Sequence, residues 1–165
     1  MPTAVDDLVT LLQLAPHPEG GFFREVFRAN GNVERAGATR AASTAIYYLL
    51  PEGAFSAWHV VASDEAWHHY DGAPLALHVI DPAGALTTVV LGRDFAAGQR
   101  PLHVVPAGHL QAARPIGAPY ALCGCTVAPG FDFADFAMPE RAVLRARFPQ
   151  HAALIDELTR SSRSS

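Results

Sequence analysis

Apolar residues alternate with polar ones through most of this chain, in short runs broken by turn-forming residues. Segments 22–28, 44–50, 55–61, 65–70, 75–80 and 86–91 read as strands, and 103–105, 110–113 and 120–127 complete the series. Between them stand Gly31-Asn32, Pro51-Glu52-Gly53, Asp71-Gly72, Asp81-Pro82-Ala83-Gly84, Gly92-Arg93-Asp94 and Pro106-Ala107-Gly108, sequences that favour tight turns. Many short strands at roughly ten-residue intervals predict an all-β sandwich or barrel rather than alternating β and α units. Two segments follow helical spacing. At the start, 3–14 places Val5, Leu8, Val9 and Leu12 on one stripe, with Thr3 as cap and Asp6 and Asp7 at the positive end of the helix dipole. Pro16 and Pro18 stop it. After Pro129-Gly130, Phe131, Phe133 and Phe136 read as apolar plugs on an irregular segment. Helices then follow from Pro139 through Arg147 and from Pro149 through Thr159. The Ser-rich end, 161–165, is expected to fray.

Composition narrows the class. A chain of 165 residues, half of them apolar and 17% charged, is expected to form one domain over 1–165, with its β core at about residues 20–130 and a helical tail at about 139–160. A net charge of -4 and a pI near 6.0 give no general attraction to nucleic acid or to an anionic membrane. No apolar run reaches the ~20 residues that span a bilayer, and the N-terminus lacks the pattern of a signal peptide. A cytoplasmic protein is the expectation. Cys123 and Cys125, two apart on an extended segment, are expected to be reduced, buried and small.

The candidate chemistry lies in a hairpin. His59 and Val61 share one face of a strand by the period of two. A tight connection at Ala62-Ser63-Asp64 returns the chain with Glu65, Trp67 and His69 inward and His68 and Tyr70 outward. His59, Glu65 and His69 are thus expected to converge, with Trp67 as an aromatic wall. His17, between two prolines, reads as an exposed loop residue. His78 and His103 read as sheet histidines. Arg24 and Arg28, on one strand face with Phe22 and Val26, are candidates for an anionic group, or for an ion pair at a sheet edge or dimer contact. Gly20-Gly21 opens no helix and is not a phosphate loop.

The spacing of Gly53, His59, Glu65 and Gly72 resembles the first motif of the cupin superfamily, with Val61 where a second histidine ligand usually stands. Pro106-Ala107-Gly108-His109-Leu110-Gln111 is similar to the second motif, with Gln111 in place of its histidine. Pro16-His17-Pro18-Glu19-Gly20-Gly21-Phe22-Phe23-Arg24-Glu25, Ser43 to Leu50, Asp64 to Tyr70 and Val127 to Phe133 resemble one uncharacterised member, the fifth cupin family. The resemblance implies a double-stranded β-helix, or jelly roll, with a short N-terminal helix and one or two C-terminal helices. It also implies a homodimer and a small-molecule pocket, without an established reaction.

Of four usual metal ligands only His59 and Glu65 remain, so no cofactor is expected; a divalent metal, if any, would take His59, Glu65 and His69. The favoured reading is a metal-independent isomerase or epimerase acting on a carbohydrate-derived or other small polar metabolite. His59 would be the base, Glu65 its orienter or acid, and Tyr48 a phenol donor. Trp67, His69, Gln111, Arg24 and Ser56 would contact the ligand. The alternatives are a metal-dependent cupin enzyme and a non-catalytic metabolite-binding module.

Overall fold

In the computed structural model, which describes residues 1 and 3–160, two antiparallel sheets face each other and a helical tail covers the smaller one. The larger sheet runs β1 (Ala15–Pro16), β2 (Phe22–Arg28), β5 (Thr44–Pro51), β12 (Tyr120–Ala128), β7 (Asp64–Gly72) and β10 (Leu102–Val105). The smaller runs β13 (Phe136–Ala137), β6 (Ser56–Val61), β11 (Leu110–Pro115), β8 (Leu75–Ile80) and β9 (Leu86–Leu91). A separate hairpin pairs β3 (Asn32–Arg35) with β4 (Ala38–Ala41). Consecutive strands often lie in different sheets, the wiring of a jelly roll.

The main core fills the space between the sheets. Tyr48 and Leu50 of β5, Trp67 of β7 and Cys123 of β12 meet Leu75 and Leu77 of β8 there. A second core lies behind the smaller sheet, where Trp58, Ile80 and Ala112 pack on Leu144 of α2 (Arg141–Arg147) and Ile155 of α3 (Ala152–Glu157). This explains why β8 is an unbroken apolar run apart from His78: all six of its residues are buried, because sheet covers one face and helix the other.

The expected strands are all present, most within a residue or two of the expected ends. Helix α1 (Ala4–Leu11) carries the Thr3 cap as a full capping box: Asp6 N donates to Thr3 Oγ1 at 3.1 Å and Thr3 N donates to Asp6 Oδ2 at 2.9 Å. It stops earlier than its apolar stripe suggests, since Gln13 takes a left-handed φ of 55°, which no helix continues through. Three elements lie outside the expected set. The β3–β4 hairpin has few apolar residues to reveal it, and its two-residue turn, Ala36-Gly37, has positive φ at both positions. β1 and β13 are two-residue pieces, below the length at which alternation is detectable. Residues 161–165, expected to fray, lie outside the described residues.

Candidate active site

His59 and Val61 face the gap between the sheets from β6, as their period-two spacing requires, and both are buried. Glu65 faces the same gap from β7 and is 6% exposed. Phe23 of β2, Tyr48 of β5 and Cys125 of β12 add further walls of a cavity of about 30 Å³, room for one or two waters. Phe131 and Phe136 close it, their rings 5.9 Å apart at 65°. They are two of the three aromatic plugs expected after Gly130, and Phe136 is held over the site because β13 pairs with the end of β6; the third, Phe133, is 54% exposed instead.

Glu19 is the residue that pattern reasoning missed. It is 4% exposed and lines the cavity from the loop before β2. Its Oε2 lies 3.2 Å from His59 Nδ1, and its Oε1 accepts from Ser56 Oγ at 3.0 Å. The loop is pinned by tertiary contacts. Tyr48 donates its hydroxyl to Gly20 O, and Arg160 Nη2 donates to Glu19 O at 3.0 Å and to Phe55 O at 3.3 Å. Gly20 (φ 115°) and Gly21 (φ 70°) make the turn; a Cβ on Gly20 would lie 2.1 Å from Phe55 O, and one on Gly21 2.5 Å from Leu49 O. Gly20-Gly21 therefore serves close backbone approach, and its product is the position of Glu19. His17, expected to be an exposed loop residue, is instead in the wall. Its side chain is 6% exposed, its ring packs edge-on to Phe23 at 4.5 Å, and its Nδ1 accepts from Glu19 N at 3.1 Å.

The protonation of His59 follows from its partners. Nδ1 lies 2.7 Å from Ala57 O, an acceptor only, so Nδ1 carries the hydrogen and Nε2 holds the lone pair. Burial lowers the His59 pKa, against the opposing pull of Glu65 and the Ala57 carbonyl. Burial likewise pushes both Glu19 and Glu65 up to about 7, with Ser56 hydrogen bonding moderating Glu19 and the His59 charge moderating Glu65. Burial drops His17 to about 4. The site thus holds a neutral imidazole between two carboxyls that exchange protons near neutrality, the condition for general acid–base work.

A family model described as Cupin superfamily (DUF985) matches residues 6–139. The chain belongs to that cupin family. It is similar to protein SO0799 from Shewanella oneidensis, with 38% identity and a TM-score of 0.90 over 98% of this chain and 100% of that one. A hypothetical protein from Leishmania major gives 35% and 0.90, over 96% and 99%. An uncharacterized protein of Saccharomyces cerevisiae, YML079W, is 29% identical over 81% of this chain and 74% of its own.

The donor set of this cupin does not fit the metal that the superfamily often carries. Val61 has no donor atom, and Gln111 Oε1 is engaged by Trp67 Nε1 at 2.7 Å. His69 does not rejoin the set. It does face inward from β7, but four residues from Glu65 is roughly 13 Å along a strand, and its Nε2 donates to Ala73 O at 2.8 Å. Among the described residues no three His, Cys, Asp or Glu side chains are placed to share an ion. Of the other expected contacts, Ser56 reaches the site through Glu19, and Trp67 and Gln111 are bonded to each other beside Glu65. Tyr48 is a wall and an anchor for Gly20. Arg24 is on the outside, its Nη1 3.5 Å from Leu12 O. The expected shared face of Arg24 and Arg28 is undone by a bulge between Glu25 and Phe27, which pairs Arg24 with Tyr47 but Arg28 with Thr44. Arg28 forms an ion pair, the alternative expected for it, with Glu25 at 2.6 Å.

Proposed function

We propose that this cupin binds a small polar metabolite in the cavity between Glu19, His59 and Glu65 and acts on it by metal-independent proton transfer, as an isomerase or epimerase does. The observation that carries the reading is the fixed tautomer of His59. Its Nδ1–H is held by Ala57 O with Glu19 alongside, which leaves Nε2 as the basic atom. His59 Nε2 removes a proton from an activated carbon of the ligand. Glu65, protonated in part at neutral pH, donates to the oxygen on which charge develops, and the proton returns to a carbon as the product forms. Closure by Phe131 and Phe136 keeps bulk water out and strengthens each of these interactions. Reduced Cys123 and Cys125 suit a cytoplasmic setting.

Deuterium incorporation tests this whatever the product is. Small metabolites with acidic C–H bonds are incubated with the protein in D₂O and followed by NMR. Exchange into one chemical class is expected, with a loss of about 10²–10⁴-fold in His59→Asn. Unchanged exchange in that variant removes the base assignment. The closed, aromatic-walled cavity favours a second reading, a non-catalytic binding module; a ligand that raises the melting temperature yet never exchanges would establish it.

A further inference from the structure

The cavity is short of positive charge. Among the described residues its lining holds two carboxyls, Glu19 and Glu65, but no arginine, and the chain contains no lysine. Burial keeps the imidazoles of His17 and His59, the Tyr48 phenol and the Cys125 thiol in their neutral forms. The Arg160 guanidinium donates to the Glu19 and Phe55 carbonyl oxygens and lines a different cleft, so its charge pulls on the Glu19 carboxyl without entering the cavity. Elsewhere this chain matches carboxylates with arginines: Asp135 with Arg35 and Arg40, Glu25 with Arg28, and Asp156 with Arg145. In the cavity Glu19 feels the charge of Arg160 without pairing with it, and Glu65 has no described arginine within ion-pair distance; a buried ionised carboxylate so weakly matched is costly.

The walls suit the missing partner. Phe131 and Phe136 stand at 65° to each other, and the Phe136 ring centre is 5.5 Å from that of His59. Phe23 and Tyr48 add two more rings. Aromatic faces beside carboxylates attract an ammonium group through the ring quadrupole and by direct charge, and both effects grow where water is excluded. Among the described residues of the lining an anionic ligand would meet two carboxyls and no arginine.

We infer that the ligand of this cavity carries a small positively charged head, a primary ammonium, held by Glu19 and Glu65 and faced by Phe131 and Phe136. The inference rests on the reading of the cavity as a small-molecule site and specifies the chemical class that site takes.

The test compares matched probes by isothermal titration calorimetry and by NMR shifts of pocket residues. Methylamine is set against methanol, its uncharged counterpart, and ethanolamine against ethylene glycol, with acetate as the anion. Each cation is expected to bind at least ten-fold more tightly than its neutral counterpart. In Glu19→Gln/Glu65→Gln that preference is expected to disappear while the neutral probes still bind, which also shows that the variant is folded. Equal binding of the neutral isostere, or a preference that survives both substitutions, overturns the inference. Tighter binding of acetate overturns it too, and leaves the small-molecule site standing. If no probe perturbs the pocket, the cationic class is wrong, and the D₂O experiment decides separately whether the acid–base reading stands.

Discussion

At the scale of single residues, the two carboxyls and two imidazoles of the cavity make opposing contributions to stability. Glu19 and Glu65 have pKa values raised from 4.5 to about 7, so the native state binds more protons than the unfolded one, and their contribution is lost as pH rises through about 7. His17 and His59 are lowered from 6.5, His17 to about 4. Their contribution is present above 6.5 and lost as pH falls through the folded values. Between about pH 4.5 and 6.5 the two pairs offset each other; above that range only the carboxyls act. Urea midpoints measured from pH 5 to 8 are therefore expected to fall between pH 6.5 and 7.5. In Glu19→Gln/Glu65→Gln the midpoint should instead rise to about pH 6.5 and then level off. A fall that persists in the variant contradicts the assignment. His59, Glu65 and Trp67 were legible as inward residues because a strand repeats every two positions. Glu19 was not, because a loop has no period. The one signal for it was Gly20-Gly21 beside it, a pair that implies close backbone approach without saying to what.

At the scale of elements, the loop before β2 and the segment after β12 complete a site that the strands only begin. The Glu19 loop depends on Gly20 passing beside the Phe55 carbonyl. Gly20→Ala is expected to cost on the order of 1–3 kcal/mol through its positive φ and the backbone clash. It should also move the His59 ring resonances, because Glu19 would shift away from Nδ1. A urea midpoint equal to that of the unsubstituted protein would show that the turn is not under this constraint. The bulge in β2 and the distance along β7 show the limit of alternation. Period two assigns a face within an undistorted strand. It gives neither the insertion that flips Arg28 away from Arg24 nor the roughly 13 Å that separates His69 from Glu65.

At the scale of the whole molecule, no helix of the described residues is long and apolar enough to cross a membrane, and the larger sheet leaves an apolar outer margin. Tyr70 of β7 and Leu102 and Val104 of β10 are 48%, 48% and 46% exposed. The register pairs Leu102 with His68 and Val104 with Ala66, so all three side chains lie on the outward face of β7, beside the open edge of β10. A homodimer joined across this margin is the expected state in solution, since it buries the apolar face and covers the edge. Light scattering should give twice 17.6 kDa at micromolar concentration, and Val104→Glu should return the monomer. A monomer before substitution contradicts the arrangement.

The sequence by itself determined the all-β core, the helices at both ends, and the inward placement of His59, Glu65 and Trp67. These follow from local periodicity, turn chemistry and capping, which act over a few residues and leave their mark on the order of residue types. Only the tertiary structure decided that Glu19 and His17 join the site, that Gln111 is committed to Trp67, that His69 is out of reach, and that no arginine among the described residues lines the cavity. Each of these depends on distances between segments remote in the chain. Arg160 fixes Glu19 across 141 positions, and no local pattern records a contact of that span.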